Sequence, residues 1–357
     1  MATYRAMVVG MGKRGKHHAF AFKANPRFEV VGICDIMPNA LPDLAAQLGG
    51  VAYGTDAAKL AQQVKPDVFC FCTHPSIRLP LLELGVACGA KLIAFEKPVA
   101  ATSLEAMKIK ALLAAHPEVK VVVSHQHRYG KHYQKVKEII ASGALGRVHT
   151  VYATTPGWML HMCTHMIDYM RWYAGNPAAE WVMAQAAGKS KLADNHPSPD
   201  YIAGFIQFAG GIRGVLECGA GAPDQPEVAK WWGKNRIGAQ GTDGFAEVLT
   251  NGGWRAVTKS GAMSGDGAMN YDQDMPPYVQ EMADWLDGSI PAHQNGFASA
   301  LAGFEIMAGM CRSVVEGGQI ALPLTDDGMD ELAALKKALP DRPVRLGAPC
   351  HAAEFGL

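Results

Sequence analysis

From residue 4 to residue 124 the chain repeats one pattern. A short, nearly all-apolar run is followed by a turn and then by a longer stretch with apolar residues at helical spacing. The apolar runs cover 4–9, 28–34, 51–53, 66–72, 91–95 and 120–124, with predicted helices at 13–24, 41–48, 56–64, 76–88 and 103–116. Runs apolar at every position suit strands buried on both faces, so the alternation predicts a parallel sheet flanked by helices. Beyond residue 124 the pattern changes. Short runs at 146–153, 201–208, 212–218, 236–240 and 245–249 alternate with Gly, Pro and Asp clusters, which predicts an antiparallel sheet. In 146–153 one face carries Val148, Thr150 and Tyr152 and the other His149, Val151 and Ala153. Residues 262–277 read as an irregular loop, and helices follow at 278–286, 297–315 and 327–339. The fold class is therefore α/β in two domains, 1–123 and 124–357, with no Ser/Gly- or Pro-rich linker between them.

The 357 residues are 49% hydrophobic, enough for two cores. Lys plus Arg and Asp plus Glu are 33 each, so no net field recruits nucleic acid or an anionic membrane, and a small-molecule partner is expected. No leader pattern opens the chain and no run approaches eighteen apolar residues, which points to a cytoplasmic protein without a membrane span. The eight cysteines are scattered and read as reduced. Cys70 and Cys72 share one strand face but have neither redox nor zinc-knuckle spacing, and no metal is expected.

Between the first run and the first helix stand Gly10, Met11, Gly12, Lys13, Arg14 and Gly15, a GxGxxG loop. In this strand-to-helix setting Gly10 allows the tight turn, Gly12 lets a pyrophosphate approach the backbone, and Gly15 lets the helix lie close to the strand. The helix's free N–H groups face the anion. Asp35 ends the second run, twenty positions after Gly15, where a carboxylate can accept hydrogen bonds from a ribose diol. No arginine follows it among Ile36, Met37 and Pro38, so NAD is favoured over NADP, with Lys13 and Arg14 the residues that could serve a phosphate. Thr73, His74 and Pro75 end the fourth run, and Glu96, Lys97 and Pro98 the fifth, where ligand-lining loops of such sheets lie. Lys97 is placed to carry charge beside a substrate hydroxyl.

Together with Arg128-Tyr129, the 143–148 turn, the His165-to-Asp168 stretch and the 237–244 run, these motifs resemble the Gfo/Idh/MocA family. The resemblance extends to about Leu324. It implies a Rossmann domain followed by an α/β domain built on a large, mostly antiparallel open sheet, with substrate bound between that sheet and the nicotinamide. It also implies a homo-oligomer, dimer or tetramer, paired through the open sheet. Arg128 and Tyr129 would lie at the substrate, and His165 would be the catalytic histidine.

His161, His165 and Asp168 are spaced to approach one helix face. Histidine suits the removal of a hydroxyl proton near neutrality, so His165 is the expected acid/base, assisted by Lys97. Many family dehydrogenases have aspartate where His161 stands. Either His161 contacts substrate in its place or the reaction differs. Trp158, Trp231, Trp232 and Trp254 offer flat faces to a sugar ring, with core packing the competing reading. With His125, His127 and His132 the chain is rich in histidine, but no metal is needed for the family's chemistry. The sequence thus reads as an NAD-dependent oxidoreductase acting on a secondary hydroxyl or ketone of a sugar, glycoside or polyol. An NAD-dependent glycosidase or lyase with transient hydride transfer and a non-catalytic NAD sensor are the alternatives.

Overall fold

The computed structural model describes residues 2–230, 233–342 and 344; Trp231, Trp232, Cys350 and most of the tail lie outside the described residues. The chain divides into two compact units, one of Met1–Ala101, Glu105–Tyr129 and Asn270–Ala300, the other of Thr102–Leu104, Gly130–Met269 and Leu301–Leu357.

The first unit is built on strands β1 (Tyr4–Val9), β2 (Phe28–Cys34), β3 (Ala52–Gly54), β4 (Val68–Phe71), β5 (Leu92–Glu96) and β6 (Lys120–Ser124). All pair in parallel, in the order β3-β2-β1-β4-β5-β6. Helices α1 (Lys13–Ala24), α2 (Leu41–Gln47), α3 (Ala57–Val64), α4 (Arg78–Ala87) and α5 (Ser103–Ala115) connect them. The order reverses between β1 and β4, which opens a crevice at the strands' carboxyl ends.

The second unit carries α6 (Lys131–Ala141), β7 (Val148–Thr155), α7 (Thr164–Tyr173), β8 (Ala179–Ala187), β9 (Tyr201–Phe208), β10 (Arg213–Gly219), β11 (Arg236–Gly241), β12 (Gly244–Leu249), β13 (Gly253–Thr258) and β14 (Gly261–Gly265). With β15 (Ile320–Ala321) they form a nine-stranded sheet, β14-β13-β12-β11-β7-β10-β9-β8-β15, antiparallel except for β7 with β10. In β7, Val151, Ala153 and Thr155 are buried, and α7 packs on this strand.

Several expectations change. Residues 262–277 are not a loop: β14 takes the first of them, and α8 (Tyr271–Leu286) begins at a cap where Asn270 accepts from the Asp272 amide. Asp272 and Asp274 in its first turn favour the helix N-terminus, and burial of its apolar face in the core offsets Pro276 and Pro277. Met275, Tyr278, Val279, Met282 and Ala283 of α8 join the core formed with β1, β4 and α1, so this segment belongs with the first unit rather than with everything after residue 124. Finally, α9 (Phe297–Glu316), with a mean hydropathy of 1.3, is long and apolar enough to span a bilayer by composition. Its window is 72% buried, the state of a core helix in a globular chain. The chain's last described helix, α10 (Glu331–Ala338), starts where Asp330 accepts from the Ala333 amide, four residues later than the pattern suggests.

Candidate functional site

The glycine loop turns from β1 into α1 as the spacing requires. Gly10 sits at φ +84, and a Cβ there would stand 2.6 Å from the Cys72 carbonyl oxygen. A Cβ on Gly15 would stand 1.9 Å from the Gly10 carbonyl oxygen, so helix and loop touch backbone to backbone. Gly12 is different: a Cβ would meet nothing within 4 Å. No neighbour in the protein demands glycine at 12, so its purpose is to leave room for something that approaches the loop. Gly12 caps α1 without a side-chain bond, and the first turn holds no acid, which leaves amides for an anion. Lys13 is exposed beside them.

Asp35 reaches back to this loop. Its Oδ2 accepts from the Met11 amide at 2.6 Å and its Oδ1 from the Met37 amide at 2.9 Å. The carboxylate is thereby fixed, with lone pairs left for a ribose diol. Across the sheet reversal, Thr73 holds a buried Oγ1 without a hydrogen-bond partner among the described residues. Arg14 lies flat on the Tyr271 ring, 4.2 Å from its centre. These features fit a dinucleotide: room at Gly12, unclaimed amides, a fixed carboxylate and an orphan hydroxyl. His74 is exposed, and its Nδ1 lies 2.9 Å from Ser76 Oγ, capping the turn that opens at buried Pro75. His74, expected in a ligand-lining loop, thus has a turn-capping contact of its own.

Glu96 and Lys97 form the chemical end of this unit. Glu96 is buried, with Oε1 3.1 Å from His18 Nε2. Burial pushes the Glu96 carboxyl up, but His18, Arg14 and Lys97 outweigh it and hold its pKa at about 2. In His18, burial works against the charged ring, while the Cys72 sulfur and Glu96 raise its pKa to about 10. Lys97 is half-buried; burial lowers its pKa, Glu96 opposes that, and Arg14 and Arg78 bring it to about 8. Arg78, fully buried, donates to the backbone carbonyls of Glu96 and Lys97, the latter at 3.0 Å. The Lys97–Pro98 bond is cis. The sequence reading missed His18, Arg78 and Tyr271, because each acts through tertiary neighbours far away in sequence. Only His18 left a trace, as an apolar-face histidine three residues after Gly15.

Arg128 and Tyr129, expected at the substrate from the resemblance, both hydrogen-bond within the first unit. Arg128 is wholly buried and its Nη1 donates to the Gln294 carbonyl at 3.1 Å. The Tyr129 hydroxyl donates to Glu281 at 2.6 Å, and its ring meets Tyr278 edge-on. His127 pairs with Asp274 at 2.9 Å.

In the second unit, the stretch carrying the histidines starts with a turn of π-helix, Met159–Cys163, that runs into α7. A π-turn is rare and occurs often at functional sites, and here it lies at His161, just before the helix that carries His165. His161 is half-buried, with its ring 5.3 Å from that of His196. His165 and Asp168 are both buried on α7. The Tyr169 hydroxyl lies 3.1 Å from His165 Nδ1, and the two rings stack at 5.7 Å. Trp158 caps the π-turn, and Lys191 Nζ stands over its ring at 5.3 Å. His132 is spent on the Thr250 carbonyl at 3.1 Å. Among the described residues, the group of His, Cys or acidic side chains close enough to share a metal is His18, Cys70 and Cys72, not the histidine-rich set.

Comparison with known proteins agrees with this picture. Residues 4–127 match the model of an oxidoreductase family with an NAD-binding Rossmann fold, and residues 152–247 match the GFO/IDH/MocA C-terminal domain. Inositol 2-dehydrogenase of Rhizobium meliloti is 24% identical over 345 residues, 90% of this chain and 99% of that protein. Myo-inositol 2-dehydrogenase of Thermotoga maritima is 22% identical over 231 residues, 60% of this chain and 67% of that one. The fold is shared with an oxidoreductase from Agrobacterium radiobacter, solved with NAD+, L-tartaric acid and magnesium. Its TM-score is 0.76 at 17% identity, over 90% of this chain and 98% of that one. The chain therefore belongs to the Gfo/Idh/MocA oxidoreductase family, and its first unit is an NAD-binding Rossmann domain.

Proposed function

We propose that this chain oxidises a secondary hydroxyl of a polyol, sugar or glycoside with NAD, or reduces the matching ketone. Bound NAD supplies the hydride acceptor. Gly12, the amides at the start of α1 and Thr73 Oγ1 hold the pyrophosphate and its neighbours, and Asp35 holds the adenosine ribose. A carboxylate there repels a 2′-phosphate, and Arg14 is engaged with Tyr271, so NAD is preferred over NADP. His165 takes the hydroxyl proton on Nε2 while its Nδ1 stays tied to Tyr169. The Lys97 ammonium steadies the alkoxide as it forms. His161 and Trp158 contact substrate, with His161 where many relatives carry aspartate.

The observation that carries this reading is Lys97, a half-buried lysine at the carboxyl end of β5 whose pKa is brought to about 8. A group that changes charge near neutrality, on the unit that binds NAD, suits proton-coupled oxidation of an alcohol. The inositol dehydrogenase relatives support the polyol class. Lys97→Met tests it: turnover of polyols should fall at least a hundredfold while NAD affinity stays within a few-fold. A variant with normal turnover would remove Lys97 from the reaction. The neighbouring exposed residues Met183 and Phe205, paired across β8 and β9, support a homo-oligomer joined through the nine-stranded sheet.

A further inference from the structure

Below the glycine loop, α1 and β4 bring three soft donors together. Cys70 lies on β4, Cys72 follows two residues later, and His18 reaches them from the buried side of α1. One ring nitrogen of His18 and the two sulfurs all lie within 4.8 Å of one another. A tetrahedral zinc ion with Zn–S of about 2.3 Å and Zn–N of about 2.0 Å places such donors roughly 3.5–3.8 Å apart. The group is thus at most about an ångström wider than a filled site. His18 Nε2 is bonded to Glu96 at 3.1 Å, and Nδ1 is buried with no hydrogen-bond partner among the described residues. A histidine that gives one N–H to a carboxylate and turns its other nitrogen to an ion is the usual arrangement around protein-bound zinc.

We propose that His18, Cys70 and Cys72 bind one thiophilic divalent cation of the zinc type, with Glu96 orienting His18 from behind. The donors are two sulfurs and an imidazole, which favour zinc or cadmium and disfavour magnesium and calcium. Binding makes two S–metal bonds and one N–metal bond, and the protons on both thiols, together with the one on the ligating nitrogen, leave to solvent. No electron is transferred. The ion ties α1 to β4 under the Gly10 turn, so it stiffens the cofactor loop from inside. The C-x-C spacing alone hides the site, because the third ligand is more than fifty residues earlier in the chain.

The test uses purified, metal-free, full-length protein titrated with cadmium and followed by the thiolate-to-metal absorption band in the ultraviolet. One cadmium per chain is expected, with at least two protons released per ion at neutral pH, and zinc should raise Tm. Cys70→Ala and Cys72→Ala should each abolish the band, and Cys34→Ala should leave it intact. No band, or a band that survives both substitutions, would overturn the proposal. Should either variant fail to fold, X-ray absorption on the zinc-loaded wild-type protein decides. Two sulfur ligands at about 2.3 Å support the site, and a shell of oxygen and nitrogen only refutes it.

Discussion

The Tyr169 hydroxyl stands 3.1 Å from His165 Nδ1, four residues away on the same helix and stacked on the same ring. The bond decides which nitrogen handles a proton. When Nδ1–H donates to the phenol oxygen, Nε2 carries the lone pair and acts as a base; once Nε2 has taken the proton, the ring is an imidazolium whose Nδ1–H still donates to the phenol oxygen and whose Nε2–H is the acid for the reverse direction.

Tyr169→Phe removes this control while keeping the ring. A hydrogen bond of about 1 kcal/mol corresponds to roughly a fivefold effect, so kcat should fall about 5- to 10-fold. NAD affinity should not move. Steady-state kinetics beside an NAD titration checks both; an unchanged kcat would free His165 from the tyrosine.

In the proposed reaction Lys97 should set the basic limb of the pH profile. It must be protonated to steady an alkoxide, and its pKa is brought to about 8, so kcat for oxidation should decline as pH rises through about 8. Lys97→Arg keeps its charge across that range. The variant should be slower overall but should lose the limb, and a limb that persists at the same pH would assign it to another group.

Gly12 and Gly15 separate binding from folding. A methyl at 15 collides with the Gly10 carbonyl at 1.9 Å, so Gly15→Ala should lower Tm by several degrees and weaken NAD binding with it. A methyl at 12 meets no protein atom within 4 Å. Gly12→Ala should therefore melt like the parent and bind NAD at least tenfold more weakly. Equal Tm losses in the two variants, by thermal unfolding without cofactor, would contradict this division.

Asp35 should discriminate the cofactors. Charge-assisted hydrogen bonds of about 1.5–3 kcal/mol make Asp35→Ala roughly 10- to 100-fold weaker for NAD. NADP should lose little or gain, because the carboxylate no longer faces its phosphate. Isothermal titration of both cofactors checks it, and an equal loss for both would assign Asp35 to loop support through the Met11 amide alone.

The parallel sheet was legible because its strands are nearly all apolar and lead into Gly10, Asp35, Thr73 and Glu96-Lys97, each a local signal. The long C-terminal helices were also legible. Lost to the sequence were features decided at a distance. Residues 271–277 read as part of a loop because the core that α8 joins lies on strands more than a hundred residues earlier. The spacing of His161 and His165 did not disclose the π-turn at Met159–Cys163, which no local pattern announces. For Arg128 the fold adds a hydrogen bond to the Gln294 carbonyl, more than 160 residues away, that no local pattern announces. Gly12, in contrast, was read for its function and found with the open space that function needs.

The most direct measurement is NADH formation, followed by absorbance, when the purified chain and NAD meet a panel of inositols, sugars and glycosides, with the ketone product quantified in parallel. One NADH per ketone from at least one polyol, abolished in His165→Ala with NAD affinity retained, is the expected result. Cleavage of a substrate without net NADH, or no reaction across the panel by a protein that binds NAD, would contradict it.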